Sequence, residues 1–270
     1  MTSDRDFSIK NGLLLFFILV FIISWGAIFL LAGPSGFPIA EDQAMIMGMA
    51  ILLGPTLASI ILTALSGHSG FQRLFSHLLK WRVGVRWYAT ALLIAPLSTA
   101  VILGLFSLFS SEFQPNILIS SEKVSLIISA IFAGLVVGIF EELGWTGFAV
   151  PKLLKNHSIL GTGTIIGVIW GAWHFPLFWE VSSFTASLPF ILLVARLFSW
   201  LPPYRALMVL IYKNTESLFV TILMHTSLVA TLIVLDPIVK GANLVIFILA
   251  RAALLWAIVA VIIVSGRQKA

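Results

Sequence analysis

The chain has 270 residues, 60% apolar and only 10% charged, with no cysteine and a net charge of +5. About a quarter of the residues in a soluble domain are charged, so a water-soluble globule and a disordered chain are both excluded. Disulfides, thiolate metal sites and cysteine nucleophiles are excluded with them. The surplus of bases must be tested as a topology signal before it is read as a nucleic-acid footprint.

A helix needs about 20 apolar residues to cross the hydrocarbon core, and eight such stretches follow one another. They lie near Gly12 to Leu31, Ala44 to Leu65, Trp87 to Phe109, Val124 to Val150, Ile159 to Trp179, Leu188 to Leu201, Leu218 to Leu235 and Leu244 to Val264. The expected fold is all-α, a polytopic membrane bundle of about eight transmembrane helices forming one integral-membrane domain over residues 1–270. The first stretch follows Lys10 as a signal peptide would, but its apolar run is too long and lacks a small-residue cleavage site, so it is expected to stay in the mature chain. The sixth is expected to close at Pro202 and Pro203, where a continuing helix would clash with its own backbone.

With the amino terminus inside, cytoplasmic segments hold Arg5, Lys10, Arg73, Lys80, Arg82, Arg86, Lys152, Lys155, Arg205, Lys213, Arg267 and Lys269, against Lys123 and Lys240 outside. That asymmetry places both termini in the cytoplasm by the positive-inside rule. Attraction of the basic stretch from Gly67 to Arg86 to anionic membrane lipid explains its charge without nucleic acid.

Six charged or ionisable side chains fall inside the spans: Glu141, Glu142, His174, Arg196, His225 and Arg251. An ionised group at mid-bilayer costs about 2.5 to 3.5 kcal/mol on the lenient insertion scale, so each needs a partner or a task. Two adjacent carboxyls in low dielectric resist double ionisation, and one of the glutamates needs a proton or a cation. A structural ion pair and two packing histidines would be the bland reading. A carboxylate with two imidazoles on separate helices also has the composition of a water-activating site. Glu141, His174 and His225 match a ligand set used by catalytic zinc, so a divalent metal stays open. The helical zinc signature His-Glu-x-x-His is absent, as is Gly-Asp. Ser69, in Ser66-Gly67-His68-Ser69-Gly70, reads as a turn, and His68, His77 and His157 as solvated loop residues.

Three blocks carry a resemblance: Glu141-Glu142-Leu143-Gly144-Trp145-Thr146-Gly147-Phe148, then Trp170-Gly171-Ala172-Trp173-His174-Phe175-Pro176, then Leu223-Met224-His225-Thr226-Ser227-Leu228-Val229. In this order they resemble the CAAX protease and bacteriocin-processing family, the CPBP or Abi intramembrane proteases, with a motif core at about residues 124–235. Gly54-Pro55, Lys80-Trp81-Arg82 and Tyr212-Lys213-Asn214-Thr215 extend the likeness. The resemblance implies that Glu141 and His174 activate the attacking water, that Glu142 is a supporting acid and that His225 helps to hold the oxyanion. Trp170 takes the family's aromatic position, counted four residues before the histidine.

Two positions depart from the pattern: Thr146 stands where the family has arginine, and Val229 where it has asparagine. Arg196 is the expected replacement for the arginine, and Thr221 or Ser227 for the asparagine as a donor. The leading expectation is an endopeptidase, glutamate-dependent or metallo, acting on a membrane-associated peptide or protein. A catalytically silent scaffold or immunity protein is the alternative, favoured by the two departures, and a proton-carrying transporter is a third. The substrate, its prenylation and the oligomeric state are not legible in the sequence.

Overall fold

A backbone in hydrocarbon must satisfy its own N–H and C=O groups, which leaves the helix as the natural state of each apolar stretch. The computed structural model describes residues 2–33 and 38–267. Lys269, counted above as cytoplasmic, lies outside the described residues, as do the side chains of Arg5, Lys10 and Arg267. In chain order the helices are α1 (Thr2–Ala32), α2 (Ala44–Leu65), α3 (His68–Leu78), α4 (Val85–Phe106), α5 (Lys123–Leu153), α6 (Ile159–Trp173), α7 (Ser187–Thr215), α8 (Leu218–Val234) and α9 (Gly241–Arg267). Six are long and apolar enough to span a membrane. Among the described residues α6 and α8 are shorter apolar helices, so eight apolar helical segments stand where eight apolar stretches were expected, and α3 lies between the second and third of them.

Alternation of direction gives the bundle two unlike ends. At one end the segments 107–122 and 235–243 meet: Asn116 Nδ2 donates to Ile233 O at 2.9 Å, and Asn243 Nδ2 to Glu112 Oε2 at 2.7 Å. At the other, basic end, Lys80 Nζ lies 3.2 Å from Glu216, and Ser217 Oγ donates to Lys80 O. His77, on α3, is no solvated loop residue: its Nδ1 lies 2.8 Å from the Tyr212 hydroxyl. Ser69 likewise belongs to α3, just after Gly67, and not to a turn.

Two expected boundaries move, both at proline. The fifth span ends at Trp173, because Pro176 lies in the first turn of a new short helix, Phe175–Phe178. The sixth does not end at Pro202. A wide π turn over Ala195–Ser199 breaks the run, and Pro202 and Pro203 sit in the first turn of Leu201–Thr215, where a missing N–H breaks no bond. A second π turn, Trp145–Ala149, interrupts α5 directly after the glutamates.

Small residues set how closely the central helices approach. On α6, a Cβ at Gly163 would lie 2.3 Å from Ala206 Cα, at Gly167 2.4 Å from Pro202 Cα, and at Gly171 1.8 Å from Leu197 O. This small-xxx-small stripe seats α7 backbone to backbone against α6. Gly134 and Gly138 do the same for α5 against the Thr226 and Ile222 carbonyls of α8. The four helices that hold the candidate site are thus drawn together by missing side chains.

Candidate active site

Glu141 and Glu142 end the regular part of α5 and are 2% and 0% exposed. Counted from the connection at residues 154–158, Glu141 lies about 18 Å along α5, and Trp170 about 17 Å along α6. They stand level, and Trp170 Nε1 donates to Glu141 Oε2 at 2.6 Å. His174 lies one turn beyond, at the end of α6. Its Nδ1 is 2.8 Å from Trp170 O. Because a carbonyl only accepts, Nδ1 carries the proton, and neutral His174 presents a lone pair at Nε2.

The cation at the centre is Arg205, which is 0% exposed, and not Arg196. Arg205 Nη1 lies 2.7 Å from Glu142 Oε1, and Nη2 lies 3.8 Å from Glu141 Oε2. Its guanidinium also covers the Trp170 ring at 3.9 Å. Glu142 holds three partners: Arg205, His225 Nδ1 at 2.7 Å from Oε1, and the Thr146 hydroxyl on Oε2. Thr146 therefore keeps contact with Glu142 although it cannot neutralise it.

The expectation for Arg196 fails for a geometric reason. The π turn carries Arg196 to the mouth of a cavity, over Phe178 at 5.7 Å, while Arg205, one turn into the next helical segment, points into the bundle. Closing the sixth span at Pro202 and Pro203 puts Arg205 in a cytoplasmic loop, whereas it lies in the helical segment Leu201–Thr215. An arginine in Leu201–Ile211, an otherwise apolar run, was the missed signal.

The replacements expected for asparagine also fail. The Thr221 hydroxyl donates to Leu218 O, and Ser227 Oγ donates to Leu92 O on α4. Val229 itself lines the cavity. That cavity has a volume of about 410 Å³; Glu141, Trp170, His174 and His225 face it, and leucine, valine and isoleucine form most of the remaining wall.

Among the described residues no three His, Asp or Glu side chains gather closely enough to hold an ion. His225 Nδ1 is committed to Glu142, and the Arg205 cation stands 3.8 Å from Glu141. The set Glu141, His174 and His225 does not fit a divalent ion as arranged.

Comparison with known proteins follows the same residues. The family model described as type II CAAX prenyl endopeptidase Rce1-like matches residues 123–231, the stretch that runs from the start of α5 through His225. The CAAX prenyl protease 2 of Methanococcus maripaludis is 24% identical over 186 residues, 66% of this chain. The chain spans 66% of that protein's length. Both findings bear out the resemblance to the CPBP family.

Proposed function

We propose that the chain is an intramembrane endopeptidase that hydrolyses a peptide bond with a glutamate-activated water. The observation that carries this reading is a buried carboxylate, Glu141, with one oxygen fixed by Trp170 and facing a cavity shared with two histidines. Glu141 Oε1 accepts no hydrogen bond among the described residues, which leaves it to a water. In this scheme Glu141 takes the water's proton and His174 Nε2 orients the water. The hydroxide adds to the peptide carbon, the carbonyl π electrons move to oxygen, and collapse breaks the C–N bond as Glu141 passes the proton to the leaving amine.

The oxyanion needs donors that Val229 cannot supply. His225 supplies one when its imidazole is protonated, because Glu142 accepts from Nδ1 and supports the cation while Nε2–H remains to donate. Arg205 holds Glu142 for that purpose and so performs the task expected of the family arginine from another helix. The silent-scaffold reading draws on Val229 alone once Arg205 is placed.

The spacing of Glu141, His174 and His225 supports the glutamate reading over a metal-bound water. Purified protein in detergent, incubated with a library of membrane peptides, should yield defined cut sites that persist in a chelator. Glu141→Gln should remove cleavage while the helical content stays at the wild-type level. Turnover retained by that variant overturns the glutamate mechanism, and partner binding without any cleavage by the wild type supports the scaffold.

A further inference from the structure

A second cavity, of about 440 Å³, lies at the basic end of the bundle, apart from the site of Glu141. Its volume falls within the range of ligand pockets, about 300 to 1,000 Å³, and exceeds what a single ion needs. Lys152 on its wall stands about 16 Å further along α5 than Glu141.

The cavity has two unlike parts. Leu62, Leu65 and Phe148 form an apolar wall where the spans α2 and α5 end, whereas Arg73, Lys152 and Lys155 bring three cations to the same space. Among the described residues that line it none is acidic, and none of the three cations has an ion-pair partner; Glu216 is held by Lys80 at 3.2 Å. Lys152 is half-buried, with its ammonium 3.5 Å from the centre of the Phe148 ring. An aromatic face attracts a cation but leaves its charge in place. Like charges gathered around one space repel, and an anion between them offsets that repulsion.

Hydroxyl donors face the same space. Thr63, on α2, is only 6% exposed and lines the cavity, yet its hydroxyl makes no hydrogen bond among the described residues. Buried hydroxyls are ordinarily paired, so this one is left for a ligand. Ser69 adds a second hydroxyl from the first turn of α3, which opens at Gly67 without a side-chain cap.

We propose that this cavity binds the phosphate headgroup of an anionic membrane lipid, with Arg73, Lys152 and Lys155 around the phosphate and the apolar wall against the upper part of an acyl chain. Several cations and hydroxyls suit the many acceptor oxygens of a phosphate. Depth favours a lipid over soluble phosphate, because headgroups lie where apolar spans end. Part of the charge at the basic end is thus a built site and not a diffuse field.

The full chain, purified in neutral detergent, is titrated with phosphatidylglycerol, phosphatidylcholine or inorganic phosphate. Binding is read as lipid retained in native mass spectrometry and as a rise in the unfolding midpoint. Phosphatidylglycerol should bind and raise the midpoint, and phosphatidylcholine, whose choline neutralises its phosphate, should do so far less. Arg73→Gln and Lys155→Gln, both at exposed positions, should each weaken retention about fivefold, the worth of one basic residue at a lipid surface. Thr63→Val, which keeps shape and charge, should weaken it too.

Arg82→Gln removes the same charge from the same end but outside the cavity, and should change retention little. Equal losses in the three base variants, with Thr63→Val binding as the wild type does, are the signature of a diffuse field and overturn the proposal. Equal retention of the two lipids overturns it as well. Inorganic phosphate that raises the midpoint as much as phosphatidylglycerol overturns the lipid assignment and gives the cavity to a soluble phosphate.

Discussion

At the scale of single residues, Arg205 binds two buried carboxylates and roofs the indole that fixes one of them. Removing one partner of a buried ion pair leaves an uncompensated charge and costs about 3 to 5 kcal/mol. Arg205→Ala should therefore lower the unfolding midpoint in detergent sharply, whereas Arg196→Ala, at the cavity mouth, should change it little. Thr146 stands one turn from Glu142 and already touches it, so Thr146→Arg added to Arg205→Ala should recover part of the loss. A double variant no better than Arg205→Ala would show that the guanidinium must come from α7.

The same residues mark how far the sequence could be read. Glu141, Glu142, His174 and His225 were visible because ionisable groups inside apolar stretches are costly wherever they occur. Their partners were not, because pairing depends on which helices touch. Arg205 was hidden by a local rule, that proline stops a helix, which is also satisfied when proline starts one.

At the scale of elements, the α6 glycine stripe is the most exacting packing in the bundle. A side chain at Gly167 or Gly171 must push α7 away by the width of a methyl group, and overpacking of that kind costs about 1 to 3 kcal/mol. Gly167→Ala and Gly171→Ala should each destabilise the protein, and because α7 carries Arg205 they should weaken cleavage as well. Gly161→Ala is the control on the same helix, since its new methyl would meet Ser158 Oγ at 3.4 Å, an ordinary contact. Equal melting of all three variants would mean that α6 and α7 are not held by this approach.

The His77–Tyr212 contact between α3 and α7 carries a pH dependence. Burial pushes the His77 pKa below its ordinary 6.5; Lys80 and Arg73 push it the same way, and Glu216 opposes them. The unfolded chain then binds the proton more readily than the folded one. The contribution to stability is intact above about pH 6.5 and declines as the pH falls below it, until the folded imidazole is itself protonated. Wild-type protein should lose more of its unfolding midpoint between about pH 7.5 and 5.5 than His77→Gln does. Identical slopes for the two would show that His77 contributes nothing to the pH dependence.

At the scale of the whole molecule, a gradient of charge runs along the bundle axis. The eight apolar stretches and the charge asymmetry were legible in the sequence because both follow from composition over about 20 residues. The cavities were not, because they depend on which helices leave space between them. The charge asymmetry makes orientation testable independently of any substrate. A reporter fused after Ala270 and another inserted beside Lys80 should both read cytoplasmic, and one placed between Asp236 and Lys240 should read external. The asymmetry does not depend on Arg205, since taking it from the twelve bases of the sequence still leaves eleven against two. An external signal from either of the first two reporters would invert the bundle. It would turn the end of the bundle that holds Phe178, Asp236 and Leu244 toward the cytoplasm, and Lys80, Lys152 and Lys155 away from it.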